Sequence, residues 1–191
     1  MAEQANTTAM VAREDTQRFR ESETVPAWTA TIIDDLRFQL KSLNPIVNLQ
    51  TYSLIVPKAL GGRVDMSNVA EHTAPLGGVK IDLQNALESL GSSDISDTYR
   101  GFIIGSVPLV IDANCEARGE FFRTLHLYHL SFQAAPASGR WRVSFQGISG
   151  SPERYRDVSE AASAVEAVWT FQYAGLAESL KAAHSSDDSD G

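Results

Sequence analysis

Cysteine is nearly missing from this chain, occurring once, at Cys115. One thiol can neither close an internal disulfide nor furnish a thiolate zinc site alone, which fits a reducing, cytosol-like compartment. Long apolar runs are missing too: none approaches the ~20 residues that cross a bilayer. The opening stretch "MAEQANTTAMVAREDTQRFRESE" lacks the basic-then-apolar order of a secretory signal. Positive charge is in deficit, with 16 Lys and Arg against 24 Asp and Glu, a net charge of −8 and a pI near 4.9. Such a balance repels phosphate backbones and anionic headgroups unless the basic residues gather on one face, so sequence-specific nucleic-acid binding is not expected. The glycine pairs in "ALGGRVD" and "PLGGVKI" have neither the strand, G-x-G-x-x-G and helix order of a dinucleotide site nor the GK[ST] of a P-loop.

What is present is enough to fold. Apolar residues make up 43% and charged residues 21%, the composition of a globular protein rather than a disordered one. Residues 1–23 are polar, mixed in charge and poor in large apolar side chains, and are expected to form a flexible N-terminal arm. The small, acidic stretch 184–191 is expected to be a disordered tail, leaving one domain over 24–183.

Within that domain, Trp28, Ile32, Leu36, Leu40 and Leu43 recur at steps of four and three behind Thr24 and Pro26, predicting an amphipathic helix that ends before Pro45. "IVNLQTYSLIVP" predicts a strand closed by Pro57, and 58–78 a functional or mobile loop of about twenty residues. Asp82 as N-cap, Leu83, Ala86, Leu87 and Leu90 on one face, and Gly91 as stop predict a short helix. "RGFIIGSVPLVID" is interrupted by Gly105 and Pro108, as in an edge strand, a bulge or two short strands. A hairpin joins "GEFFRTLHLYHLSFQ" to "GRWRVSFQGIS", where Trp141, Val143 and Phe145 alternate with polar residues. Helical spacing from Val158 through Leu180 predicts a last helix over about 159–183. The class is α+β: a single domain whose antiparallel sheet, with its central hairpin, packs against N- and C-terminal helices.

Chemistry is sparse. His126 and His129 sit three residues apart in a run of Phe, Thr, Leu and Tyr that reads as strand, where an odd step sends side chains to opposite faces and precludes a shared metal. His72 and His184 have no ligand set at recognisable spacing. Cys115, in the turn-like "DANCEARGE", has no surrounding nucleophile motif. No catalytic, cofactor or metal-binding residue is assigned, and no enzyme activity is expected. Two contact surfaces are: a basic patch of Arg123, Arg140 and Arg142, and a self-association loop through Leu60, Val64, Met66, Val69 and Pro75.

The stretch "LGGVKIDLQNALESLGSSDISDTYRGFIIGSVPLVID", followed by "CEARGEFF", the hairpin and the final helix, resembles the core of rhabdovirus matrix proteins over roughly residues 46–173. The shared order is a strand, a short helix of the "L..AL.S" kind, an acidic turn with a tyrosine, and an apolar strand. The resemblance implies a non-enzymatic virion protein, found in the virion and host cytoplasm, that self-associates, condenses the nucleocapsid through the viral nucleoprotein and links it to the envelope, at the membrane surface or a glycoprotein tail. The chain departs from animal-virus members in having no proline before Pro26 and no lysine-rich arm, and "HTAP" at 72–75 lacks the leading proline of a common late motif. The alternative is a cytosolic binding module whose sheet and helices enclose a pocket lined by Tyr128, Trp141, Phe145 and Trp169.

Overall fold

The computed structural model describes residues 28–90 and 101–187. Its first element departs from expectation: strands β1 (Trp28–Ile33) and β2 (Arg37–Ser42) form an antiparallel hairpin, with Trp28 opposite Ser42 and Ile33 opposite Arg37. A step of four is also an even step, so Trp28, Ile32 and Leu40 satisfy a strand's period of two as well as a helix's turn. Local chemistry decides between them. Thr29, Thr31, Ile32 and Ile33 are β-branched, and Asp34 and Asp35 both take left-handed φ, 56° and 58°, which a helix interior does not accommodate. Phe38 and Leu40 point into the core, whereas Leu36 and Leu43 remain exposed.

Strand β3 (Val47–Ile55) follows as expected. The expected long loop is instead threaded through both sheets. It contains a 3-10 turn at Lys58–Leu60, strand β4 (Arg63–Asp65) against β3, and strand β5 (Thr73–Pro75) against β2. Helix α1 (Gly77–Leu90) begins more than a turn before Asp82, which is therefore not its cap; Lys80 N donates to the Leu76 carbonyl. Two glycines in the first turn cost roughly 1 kcal/mol each. Burial of Val79 in the core, worth about 1.5–3 kcal/mol, offsets much of that and extends the buried stripe of Leu83 and Leu87 by a turn.

The largest structure is a meander of long strands: β6 (Ile103–Ala117), β7 (Glu120–Ala137) and β8 (Arg140–Arg154). Arg118 and Gly119 (φ 54° and 83°) make one tight turn, and Ser138 and Gly139 (φ 55° and 75°) the next. Two consecutive positive-φ residues match the twist of antiparallel strands. The sheet order is β4-β3-β6-β7-β8, with β1-β2-β5 as a separate three-stranded sheet. Contrary to the sequence pattern, β6 is one uninterrupted interior strand. Its proline is tolerated because β3 pairs no further than Ile55 opposite Val110, so at Pro108 the pairing is with His129 of β7.

Helix α2 (Val158–Asp187) runs four residues into the expected tail. Its start is capped by Asp157, whose carboxylate accepts from Glu160 N at 2.9 Å, while Glu160 reaches back to Arg156 N at 3.0 Å. The arm at 1–23 and residues 188–191 lie outside the described residues. The α+β class stands, with two helices and antiparallel sheets, but the N-terminal partner of the sheet is a hairpin rather than a helix.

One face of the large sheet, with Leu54, Leu109, Leu130, Phe132, Trp141 and Val143, packs against the small sheet and α1 to form the main core. A second cluster on the opposite face joins Ile55, Val110, Leu125 and Leu127 to Ala161 and Val165 of α2. Two aromatic rings of β7 lie over glycines directly opposite: Phe132 over Gly105 and Tyr128 over Gly150. A Cβ on Gly105 would lie 2.6 Å from Phe132 Cζ, deep inside contact distance. Gly105→Ala is therefore expected to lower stability in urea denaturation by about 1–3 kcal/mol, as overpacking does. Adding Phe132→Leu should recover part of that loss, giving a non-additive cycle.

Candidate functional site

The sequence singled out three arginines, five loop residues, two histidines and a cysteine, and the structure disperses them. Arg140 and Arg142 do share a face of β8, opposite Ala137 and Ala135. Arg123 lies twelve residues along β7 from Ala135, a run of about 40 Å at ~3.3 Å per residue, so the three do not form one patch. Arg123 also has a partner: its Nε and Nη2 donate to the two carboxylate oxygens of Asp112 at 2.6 and 2.7 Å. Asp112 is only 2% exposed, and Arg63 Nη1 approaches it at 3.5 Å while Ser53 donates to it at 3.4 Å. This fork fixes β4, β3, β6 and β7 to one another by neutralising a buried carboxylate.

The expected self-association loop is divided in the same way. Leu60 is fully buried and cannot be a contact residue, and Val64 and Met66 pack against the core. Of the five, Val69 and Pro75 are exposed. His126 and His129 fall on opposite faces of β7, as strand alternation requires. Burial, reinforced by Arg154 directly opposite, holds the His126 imidazole below its usual range. Cys115 is not in a turn but inside β6, fully buried between Leu49 and Phe122, and burial pushes its thiol up to about 12. A thiol so placed is almost entirely protonated at neutral pH and is no nucleophile. Of the expected aromatic pocket, Trp141 and Phe145 are core residues.

Trp169 of that set lines a cleft with other neighbours. A cleft of about 330 Å³ opens between α1, the 3-10 turn and α2, lined by Ala59, Asp82, Asn85, Ala86, Ser89, Trp169 and Tyr173. The buried stripe of α1 turns Val79, Leu83 and Leu87 inward and leaves Asp82, Asn85 and Ser89, at steps of three and four, on an adjacent face. Across from them, one turn of α2 presents Trp169 and Tyr173 with ring centroids 5.3 Å apart and planes tilted by 33°. Tyr173 Oη donates to the Ala86 carbonyl at 2.8 Å and lies 2.9 Å from Ser89 Oγ, tying the two helices together. The 3-10 turn is held at the mouth by Glu166, which accepts from Lys58 N at 2.6 Å.

The lining thus offers one carboxylate, one amide, the Ser89 hydroxyl and two aromatic rings, with no imidazole, thiol or ammonium group. That is a set for holding a ligand rather than for moving protons in pairs. Sequence reasoning assigned Asp82 to a cap and Trp169 to another pocket, and passed over Asn85, Ser89 and Tyr173. The signal was a polar stripe at helical spacing beside the apolar one in α1, facing an aromatic i, i+4 pair in α2. Among the described residues no group of three His, Cys, Asp or Glu is placed to hold a metal ion, and no helix is long and apolar enough to cross a membrane.

Two outcomes follow from the buried groups. Cys115 should resist an aromatic disulfide reagent in the native protein and react stoichiometrically in denaturant. His126 is neutral in the fold and binds a proton more readily when unfolded, so its contribution to stability is complete above the unfolded-state value near 6.5 and falls as pH drops through it toward the lower folded-state value. Denaturant titrations from pH 7.5 to 5.5 should show this loss, and His126→Gln should flatten it. Comparison with protein-family models, curated proteins and solved structures finds no match to this chain.

Proposed function

We propose that this chain is a non-enzymatic, matrix-like virion protein that works by self-association, gathering nucleocapsids beneath an envelope. The observation that carries the reading is a group of large apolar side chains left in solvent. Phe102 is 56% exposed, Ile104 71% and Phe171 82%. Gln172 Nε2 donates to Ser106 Oγ at 3.1 Å, so Phe171 and Ile104 each lie within two residues of one contact between α2 and β6. Exposed single apolar residues are ordinary, but large apolar side chains exposed on both elements beside one contact offer anchors for an interface. A second copy of the chain meets them with the same residues in a two-fold contact. Arg140 and Arg142, on one face of the edge strand β8, supply a small basic surface for an acidic partner such as a nucleoprotein.

A second reading, a small-ligand-binding module, is favoured by the cleft between α1 and α2. The two readings separate in one experiment. Sedimentation velocity over a hundredfold concentration range should give larger species for the full chain, with association weakened at least tenfold, ~1.4 kcal/mol, by Ile104→Glu with Phe171→Glu. A full chain that stays monomeric throughout would remove the assembly reading and leave the ligand-binding one.

A further inference from the structure

We propose that the cleft between α1, the 3-10 turn and α2 binds a small organic cation, an alkyl- or quaternary ammonium compound with a short carbon body. This inference rests on the ligand-binding reading and is independent of self-association. Three features select a cation. The Asp82 carboxylate faces the cleft and makes no hydrogen bond or ion pair with any described residue. The nearest basic side chain on its own helix, Lys80, is committed to Asp35. An unpaired carboxylate at the edge of a half-enclosed space is a charge in want of a counter-ion.

The second feature is the aromatic wall. Trp169 and Tyr173 line the opposite side, and rings of this kind attract a positive charge over their faces, most strongly where water is partly excluded. The third is how the donors are spent. Tyr173 and Ser89 direct their hydroxyls at the Ala86 carbonyl and at each other, so neither is free to receive an anion. Asn85, whose amide makes no hydrogen bond with a described residue, remains to fix a hydroxyl or carbonyl on the ligand's body. Of the charged side chains on the surrounding elements, Asp82 of α1 lines the cleft, whereas Glu166 of α2, which accepts from Lys58 N, and Lys58 of the 3-10 turn do not. A volume of about 330 Å³ lies at the low end of the ~300–1,000 Å³ typical of ligand pockets, which limits the occupant to a compact molecule.

The test is isothermal calorimetry on the full chain with two probes of nearly equal shape: choline, and its uncharged carbon isostere 3,3-dimethylbutan-1-ol. Choline should bind at least tenfold more tightly than the isostere. Asp82→Asn, a nearly isosteric change on a partly exposed side chain, should reduce choline affinity at least tenfold while leaving any isostere binding and the melting temperature unchanged. Equal affinity for the two probes, or undiminished choline binding by Asp82→Asn, would overturn the cation assignment while leaving the cleft a ligand site. Binding of neither probe would remove the ligand-binding reading as well.

Discussion

Strand β7 is hydrogen-bonded along both edges, to β6 from Glu120 to Ala134 and to β8 from His126 to Ala137, and every other layer is arranged around the parity of its side chains. Its apolar residues change phase in mid-strand. Leu125 and Leu127 face α2, whereas Leu130, Phe132 and Ala134 face the main core, and the β6 register runs past this point unbroken. Because the phase changes without a break in the β6 register, the sheet is covered on different faces in its two halves, and the irregularities at this point lie in the β8 ladder. Tyr128 and His129 are the two residues at the crossover, which is why an otherwise alternating strand carries two polar-tipped rings in succession.

The remaining layers attach through polar contacts at few points. Tyr52 of β3 places its hydroxyl 2.9 Å from the carbonyls of both Phe38 and His72, so that one proton serves two acceptors of the small sheet. Burial raises this phenol well above its ordinary range and keeps it a donor. At the other end of the small sheet, Asp35 accepts from Phe145 N and pairs with Lys80 of α1. These contacts explain how short strands such as β5 persist: each is a piece of a connection nailed at both ends rather than an independently stable element.

Much of this was legible in the sequence, and the failures have specific causes. The β7–β8 hairpin, the buried alternation of Trp141, Val143 and Phe145, the opposite faces of His126 and His129, and the final helix followed from period and turn chemistry alone. The N-terminal hairpin was hidden because a step of four fits both periods, and the positive φ of Asp34 and Asp35 is permitted but not announced by aspartate. The interior position of β6 was hidden because a proline in a strand reports on its immediate neighbour, and β3 ends just short of Pro108. The cleft was least legible, since Asp82 and Trp169 lie 87 residues apart on two different helices, and no local pattern records such a meeting.

The bonds made by Asp35 and Gln84 bear on a hazard as well as on cohesion. Strand β8 is the last in its sheet, long and flanked by apolar residues, the form of edge on which foreign strands add and fibrils start. Asp35 occupies the Phe145 amide, and Gln84 Nε2 occupies the Trp141 carbonyl at 2.7 Å. The outward ladder is thereby interrupted at two places within five residues, and an incoming strand would have to displace native side chains before it could zip. Copies of this chain are thus steered away from open-ended strand addition, and any contact between them falls to side-chain faces, where geometry can close it.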